Sequence, residues 1–196
     1  MDPREEKAKL RQAIKERLQK YPEHARHAES RTVCREILKV LPMDAAFSLA
    51  AYYPLKDEVD LRPLLEELMQ RSVQIYLPCF EHKHFVFRLA RDMESLLPGD
   101  FRIPEPLKNA PLLDPGTLNY ALIPARAYTT RGERLGRGNG GYDIWIRDQR
   151  MKNPKTKILG IALECQILPE IPMEAHDETV DGIVTARGLQ LSSLHP

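Results

Sequence analysis

The segment from Arg131 to Asp143, RGERLGRGNGGYD, combines three arginines with five of the ten glycines in the chain. Glycines let backbone N–H groups converge on an anion, because no side chain restricts the backbone or blocks its approach. A helix predicted to begin at Tyr142 would add the positive end of its dipole. Arg134 and Arg137 would add side-chain donors whose geometry matches phosphate. The segment therefore predicts a phosphate-binding loop.

The spacing of the loop glycines leaves a dinucleotide such as NAD as one alternative. Gly136, Gly138 and Gly141 satisfy G-x-G-x-x-G, and Glu164 follows at the distance typical of a ribose-binding acid. In such sites the first glycine directly follows a strand, whereas residues 125–134 separate this motif from the preceding predicted strand. No Gly-Lys-Ser/Thr follows, so the loop is not a P-loop. The dinucleotide pattern alone is weak.

The chain around the loop alternates between helical and strand patterns. Helical segments repeat apolar residues every three to four positions, and strand segments are short apolar runs. Such alternation predicts a single α/β domain over residues 1–196, with three layers: a mostly parallel sheet flanked by helices on both faces. Ligands of such sheets bind beyond the carboxyl ends of the strands. The predicted helices are 3–20, 23–41, 61–70 and 142–151, and the predicted strands are 45–53, 73–77, 85–89, 120–123, 157–165 and 182–185.

Composition excludes several classes of protein. The 196 residues carry 29 Lys and Arg against 28 Asp and Glu, a net charge of +1. That balance argues against a nucleic-acid or membrane partner, because both need a cationic excess. The N-terminal residues MDPREEKAK lack the apolar run of a signal peptide. We therefore expect a cytoplasmic protein that is a monomer or a weak dimer.

Five motifs, in order, resemble those of the 5-formyltetrahydrofolate cyclo-ligase family, also called 5,10-methenyltetrahydrofolate synthetases. The most specific is R-L-G-x-G-x-G followed by an aromatic residue and Asp143. The resemblance covers nearly the whole chain. The other four motifs are Lys7 to Arg11, Tyr52 to Asp60 with Glu58 inside it, Phe101 to Pro106, and Pro172 to Asp177.

This resemblance implies an ATP- and Mg²⁺-dependent ligase acting on a reduced folate. The γ-phosphoryl group of ATP would pass to the formyl oxygen, and a ring nitrogen would then close the ring as phosphate leaves. Arg137 and Tyr142 would be the catalytic residues, and Asp143 and Asp177 would bind Mg²⁺. The folate would contact Tyr53, Glu58, Phe101 and Tyr142. The implied ATP-binding residues are Lys7, Arg11, Arg134, Gly136, Arg137, Gly138, Asn139, Gly140, Gly141 and Tyr142.

The chain departs from the family pattern at one position of the loop. The family usually has two aromatic residues before the loop aspartate, whereas this chain has Gly141-Tyr142. We expect the missing ring to widen the folate side of the site. Two alternatives to the ligase therefore stay open: a non-catalytic relative that binds nucleotide or folate, and an NAD-dependent oxidoreductase.

Overall fold

A computed structural model describes residues 2–43, 45–71, 73–81, 84–99 and 102–193. No helix within these ranges is both long enough and apolar enough to cross a bilayer. The helices are α1 (Pro3–Lys20), α2 (Glu23–Val40), α3 (Arg62–Gln70) and α4 (Gly141–Lys152). The strands are β1 (Ser48–Ala50), β2 (Gln74–Glu81), β3 (His84–Ala90), β4 (Leu97–Pro98), β5 (Pro104–Glu105), β6 (Tyr120–Pro124), β7 (Ala127–Tyr128), β8 (Arg134–Leu135), β9 (Lys157–Ile161), β10 (Gly182–Thr185) and β11 (Gly188–Leu191).

Seven strands form the central sheet in the order β11-β10-β9-β6-β1-β2-β3. The five inner strands are mutually parallel, and only the two edge strands, β3 and β11, pair antiparallel. This confirms the predicted mostly parallel sheet. The strand order reverses between β1 and β6, and ligands of open α/β sheets bind beyond the carboxyl ends of the strands at such a reversal.

Side chains alternate between the two faces of the sheet, as strand geometry requires. On β6, Leu122 packs into one hydrophobic cluster, whereas Ala121 and Ile123 pack into the other. The first cluster contains residues of α1, α2 and α3, and the second contains Ile146 of α4. The protein therefore has the predicted three layers, with helices on both faces.

Local sequence features determine where α1 and α4, the two helices next to the glycine loop, begin. Helix α1 begins after Asp2, whose side chain accepts a hydrogen bond from the N–H of Arg4 at 3.0 Å. Helix α4 begins directly after Gly140, which has φ +69°. Gly138 also has a positive φ, of +103°. Residues with side chains rarely adopt these values, so the loop needs glycine at both positions to turn into the helix.

Several elements differ from the sequence prediction. The predicted strand 45–53 is only three residues long, and the predicted strand 157–165 ends at Ile161, before a short 3₁₀ helix at Glu164–Gln166. Strand β11 was not predicted, because most of its side chains are exposed and it has no continuous apolar run. The two short ribbons β4–β5 and β7–β8 were also missed, since two-residue strands leave no periodic pattern.

Gly160 on β9 provides a test of the core. A Cβ atom at this position would lie 2.5 Å from Cε1 of Tyr128, whose ring is fully buried and whose hydroxyl donates to the carbonyl of Ile123. Gly160→Ala is therefore expected to lower the free energy of unfolding by about 1–3 kcal/mol, measured by urea unfolding. The matched control is Gly116→Ala on the surface, expected to change it by less than about 0.5 kcal/mol. Equal stability of the two variants would contradict the close packing.

Candidate active site

A cleft of about 680 Å³ opens at the carboxyl ends of β1 and β6, where the strand order reverses. Tyr53 follows β1, and Pro124 is the last residue of β6. The loop before α4 forms one wall of the cleft, and β2 and β3 contribute aromatic side chains to another. Its volume is typical of a site for a small molecule or cofactor.

Arg137 of the loop is held by two carboxylates on the segment after β1. Its Nη2 donates to Glu58 Oε1 at 2.8 Å and to Asp57 Oδ1 at 2.5 Å. Arg126, the residue before β7, donates to the other oxygen of Asp57. The four side chains form a line of alternating charges, Arg126–Asp57–Arg137–Glu58, with no net charge.

The pKa values of the two carboxylates in this line shift in opposite directions. The side chain of Glu58 is only 6% exposed, and its burial raises its pKa, although Arg137 opposes that shift. Burial also acts to raise the pKa of Asp57, but the guanidinium groups of Arg137 and Arg126 prevail and hold it below its usual range. Asp57 thus keeps its charge more firmly, while the deeper Glu58 depends on a donor to stabilise its charge.

Arg134 forms the floor of the loop. Its side chain is 2% exposed, and its Nη2 donates to Asp143 Oδ1 at 2.6 Å. The guanidinium carbon lies 5.8 Å from the centre of the Tyr142 ring. The Nε atom is buried and has no hydrogen-bond partner among the residues that the structure describes. A buried donor without a partner is costly, so Arg134 has donor capacity left for a ligand.

Helix α1 approaches the loop from outside the cleft. Arg11 Nε donates to the carbonyl of Gly136 at 2.8 Å, which fixes the loop backbone. Lys7 is buried and donates to Asp177 Oδ2 at 2.5 Å and to Glu174 Oε2 at 2.8 Å. Burial acts to lower the pKa of Lys7, but these two carboxylates outweigh it and raise the pKa above its usual value. Lys7 is therefore a firmly charged cation.

The carboxylates around Lys7 also form a candidate cation site. One ligand atom each from Glu174, His176 and Asp177 lies within 4.8 Å of the others. Carboxylate oxygens are the ligands that Mg²⁺ prefers, and Mg²⁺ is usually bound through one or two of them. Glu174 and Asp177 fit that chemistry.

Aromatic side chains from β2, β3 and α4 also line the cleft. The ring centres of Phe85 and Tyr142 are 5.2 Å apart, and those of Phe80 and Phe85 are 5.8 Å apart. Burial raises the pKa of Tyr142 well above its usual value, so its hydroxyl stays protonated. The cleft thus has a charged half at the loop and an aromatic half at β2 and β3.

A sequence model of the 5-formyltetrahydrofolate cyclo-ligase family matches residues 3–186. The chain belongs to this family. The 5-formyltetrahydrofolate cyclo-ligase of Escherichia coli K12 is 29% identical over 148 residues, covering 74% of this chain and 80% of that protein. The cyclo-ligase of Mycolicibacterium smegmatis is 28% identical over 195 residues, covering 95% and 96%. The solved 5,10-methenyltetrahydrofolate synthetase of Aquifex aeolicus superposes with a TM-score of 0.81 at 28% identity, covering 97% of this chain and 93% of that chain.

Most residues implied by the cyclo-ligase resemblance meet at one cleft. Gly138, Lys7, Arg11 and Asp177 do not line it; Arg11 lies beside Gly138, and Lys7 pairs with Asp177 behind the loop. Phe101 lies outside the described residues. The implied residues that line the cleft are Tyr53, Glu58, Arg134, Gly136, Arg137, Asn139, Gly140, Gly141, Tyr142 and Asp143.

Two details differ from what the sequence implies. Asp177 shares its cluster with Glu174, whereas Asp143 pairs with Arg134 and accepts from the N–H of Glu178 at 3.2 Å. Gly141 does not widen the cleft, because the ring of Phe85 fills the space beside it. Both differences arise from contacts between segments that are distant in sequence.

The dinucleotide alternative does not fit this cyclo-ligase fold. The strand before the glycine motif, β8, belongs to a separate two-stranded ribbon rather than to the parallel sheet. Glu164 forms an ion pair with Arg187 at 3.1 Å and does not line the cleft. A ribose-binding acid would have to face the ligand.

Four residues at the site were missed from the sequence alone. Asp57 and Glu174 lie inside two of the family motifs, and their adjacency to Glu58 and Asp177 was the available signal. Arg126 and Phe85 lie outside every motif, on an ordinary turn and an ordinary strand. Only the fold brings Phe85 to the cleft and Arg126 to the carboxylate of Asp57.

Proposed function

We propose that the protein is an ATP- and Mg²⁺-dependent ligase that cyclises 5-formyltetrahydrofolate to 5,10-methenyltetrahydrofolate through a phosphorylated formyl intermediate, releasing ADP and phosphate. The observation that carries the proposal is the direct contact of Arg137, from the glycine loop, with the buried Glu58 across one cleft. In this proposal Arg137 belongs to the part of the cleft that binds phosphate, and Glu58 belongs to the part that binds the N–H donors of the folate. The proposal includes a single domain acting in the cytoplasm, where ATP is supplied, as a monomer or a weak dimer.

The chemistry needs positioning and charge neutralisation more than a protein nucleophile. The oxygen of a formamide leaves poorly until it carries a phosphoryl group. Phosphoryl transfer is accelerated mainly by alignment and by donors aimed at the oxygens that gain charge. The loop from Gly136 to Gly140 would hold the phosphates with backbone N–H groups, and Arg134 and Arg137 would neutralise the transferring group.

Glu58 would hold the pterin of the folate. Glu58 lines the cleft, and its carboxylate accepts from the N–H of Leu55 at 2.9 Å and from Arg137 at 2.8 Å. The amino group and ring N–H of a pterin are donors of the type that Arg137 now provides. We infer that pterin binding takes over Glu58 and releases Arg137 towards the phosphates.

Lys7 would bind the phosphates from the side of α1. An ammonium group has three donors, and Asp177 and Glu174 occupy two of them, so one remains for a phosphate oxygen. Mg²⁺, when bound, would neutralise charge on the phosphates. Glu174 and Asp177 are the residues that would hold it, and Asp143 is a third carboxylate of the same region, because its Oδ1 accepts from the N–H of Glu178, next to Asp177, at 3.2 Å.

The decisive experiment is a turnover assay with 5-formyltetrahydrofolate, ATP and Mg²⁺. The conjugated cyclic product should absorb in the near ultraviolet, and ADP should appear in equal amount. Folate or ATP binding without turnover would instead support the non-catalytic relative. Thermal stabilisation by NAD(H) without any response to Mg-ATP would overturn the ligase proposal.

A Lys7→Met variant is expected to raise the KM for ATP by roughly tenfold to a hundredfold, since a hydrogen bond to a charged group contributes about 1.5–3 kcal/mol. The KM for the folate should change little. Lys15→Met is the matched control, because Lys15 is an exposed lysine of the same helix. An unchanged KM for ATP in the Lys7 variant would show that Lys7 serves only to join α1 to the C-terminal segment.

A further inference from the structure

The ring of Phe85 occupies the space in which a side chain at position 141 would begin. A Cβ atom on Gly141 would lie 2.2 Å from Cε2 and 2.6 Å from Cδ2 of Phe85. Real Cβ atoms essentially never approach other atoms below 3.0 Å. Gly141 is not among the positive-φ glycines, unlike Gly138 and Gly140. The backbone at this position therefore accepts any residue, and it is the neighbouring ring that requires a glycine.

Phe85 also stands where it can contact a ligand. It is only partly buried and lines the same cleft as Glu58 and Arg137. Its ring is tilted by 36° to that of Tyr142 and forms a T-shaped pair with that of Phe80. An aromatic surface near a buried carboxylate suits a flat heterocycle whose edge carries N–H donors. The aromatic side chains can pack against the face of such a heterocycle, and the carboxylate can accept hydrogen bonds from its N–H groups.

We propose that Phe85 is a specificity-determining residue whose ring packs against the flat ring of the substrate. Glycine at position 141 leaves the space that the Phe85 ring occupies. This aromatic wall of the cleft is thus supplied by strand β3 instead of by the first turn of α4. This inference rests on the proposed function, because it assigns one wall of the same folate site. It replaces the idea that the glycine leaves the site wider.

The test is a double-mutant cycle on positions 85 and 141, read as the KM and Kd for 5-formyltetrahydrofolate. Phe85→Ala is expected to raise both by about threefold to tenfold, the range for losing one aromatic contact, with the KM for ATP within twofold of wild type. Gly141→Tyr should raise both at least as much, because the new side chain displaces Phe85. Phe85→Ala/Gly141→Tyr should return both to within about threefold of wild type, since the tyrosine enters the vacated space.

Gly141→Ala keeps the cycle informative if the tyrosine variant does not fold. Its single Cβ should raise the folate KM when Phe85 is present and should have no effect when position 85 is alanine. Phe47→Ala is the matched control for losing a ring. Phe47 precedes β1 at the opposite end of the sheet and packs against Tyr120, so its loss should lower Tm without changing the folate KM.

Two results would overturn the inference. The first is an unchanged folate KM in Phe85→Ala, and the second is a double variant whose KM equals the product of the two single effects. Both are judged against a wild-type protein that binds and converts the folate. A wild-type protein that neither binds nor converts it would remove the proposed function itself, and this inference with it.

Discussion

An Arg137→Ala variant is expected to lose about a hundredfold to a thousandfold in kcat, corresponding to about 2.7–4 kcal/mol. Arg137 is the partly exposed arginine of the loop that contacts Glu58, so it can exchange a carboxylate for a phosphate in the same cleft. Removing it takes away a donor that acts on charge developing during phosphoryl transfer. The measurement is kcat at saturating ATP and folate, followed through the near-ultraviolet absorbance of the product.

The matched control for this variant is Arg131→Ala. Arg131 is exposed and pairs with Glu133 on the turn before the loop, away from the cleft. We expect its kcat to stay within twofold of wild type. Arg137→Lys separates charge from geometry: it should recover only part of the rate, because lysine cannot form the paired donors of a guanidinium group. A wild-type kcat in Arg137→Ala would show that Arg137 only closes the cleft.

The second large effect is expected from Glu58→Gln. The substitution removes the negative charge that would accept two donors of the pterin, so kcat/KM for the folate should fall by about a hundredfold or more, since each hydrogen bond to a charged group contributes about 1.5–3 kcal/mol. The KM for ATP should change much less. Glu66→Gln on the exposed face of α3 is the control and should behave as wild type. If Glu58→Gln left the KM for the folate unchanged, the pterin would not bind at Glu58.

The pH dependence gives an independent reading of Glu58. Burial raises its pKa above that of an exposed glutamate, with Arg137 opposing the shift. Folate affinity should therefore fall as the pH drops through this raised pKa, because a protonated carboxyl no longer accepts both donors. Glu58→Gln should lack this acid limb. A pH profile with the same limb in both proteins would assign it to another group.

The same shift has a consequence for stability. A carboxyl whose folded pKa is raised stabilises the fold below its unfolded pKa and loses that contribution as the pH rises through the folded pKa. At neutral pH the ionised Glu58 is therefore unfavourable to folding. Glu58→Gln should have a Tm no lower than wild type in the absence of ligands, while its folate affinity falls.

The sequence predicted those features that depend on neighbouring residues. The predicted helix 3–20 matches α1, because a helix cap, an apolar repeat and a terminal Tyr21-Pro22 all act locally. The turn into α4 was likewise visible in the glycines that precede it, and phosphate binding by this loop stays a prediction. The predicted strand 120–123 lies within β6, since a buried strand carries a continuous apolar run.

Contacts between distant segments could not be read from the sequence. Arg137 and Glu58 are 79 positions apart, and no pattern in either segment states which cation meets which carboxylate. Phe85 looks like any residue of a strand until the sheet places it beside Gly141. No pattern near Asp143 indicates that Arg134 donates a hydrogen bond to it.

Helix α1 links the beginning of the chain to its last quarter. Lys7 lies 167 and 170 positions before its acceptors Glu174 and Asp177. On the ribosome, the first helix emerges long before these two carboxylates have been synthesised. A nascent chain therefore cannot pair Lys7 with these carboxylates until almost the entire polypeptide has been released, and a fragment ending before Glu174 would carry the glycine loop without the ion pairs that hold Lys7.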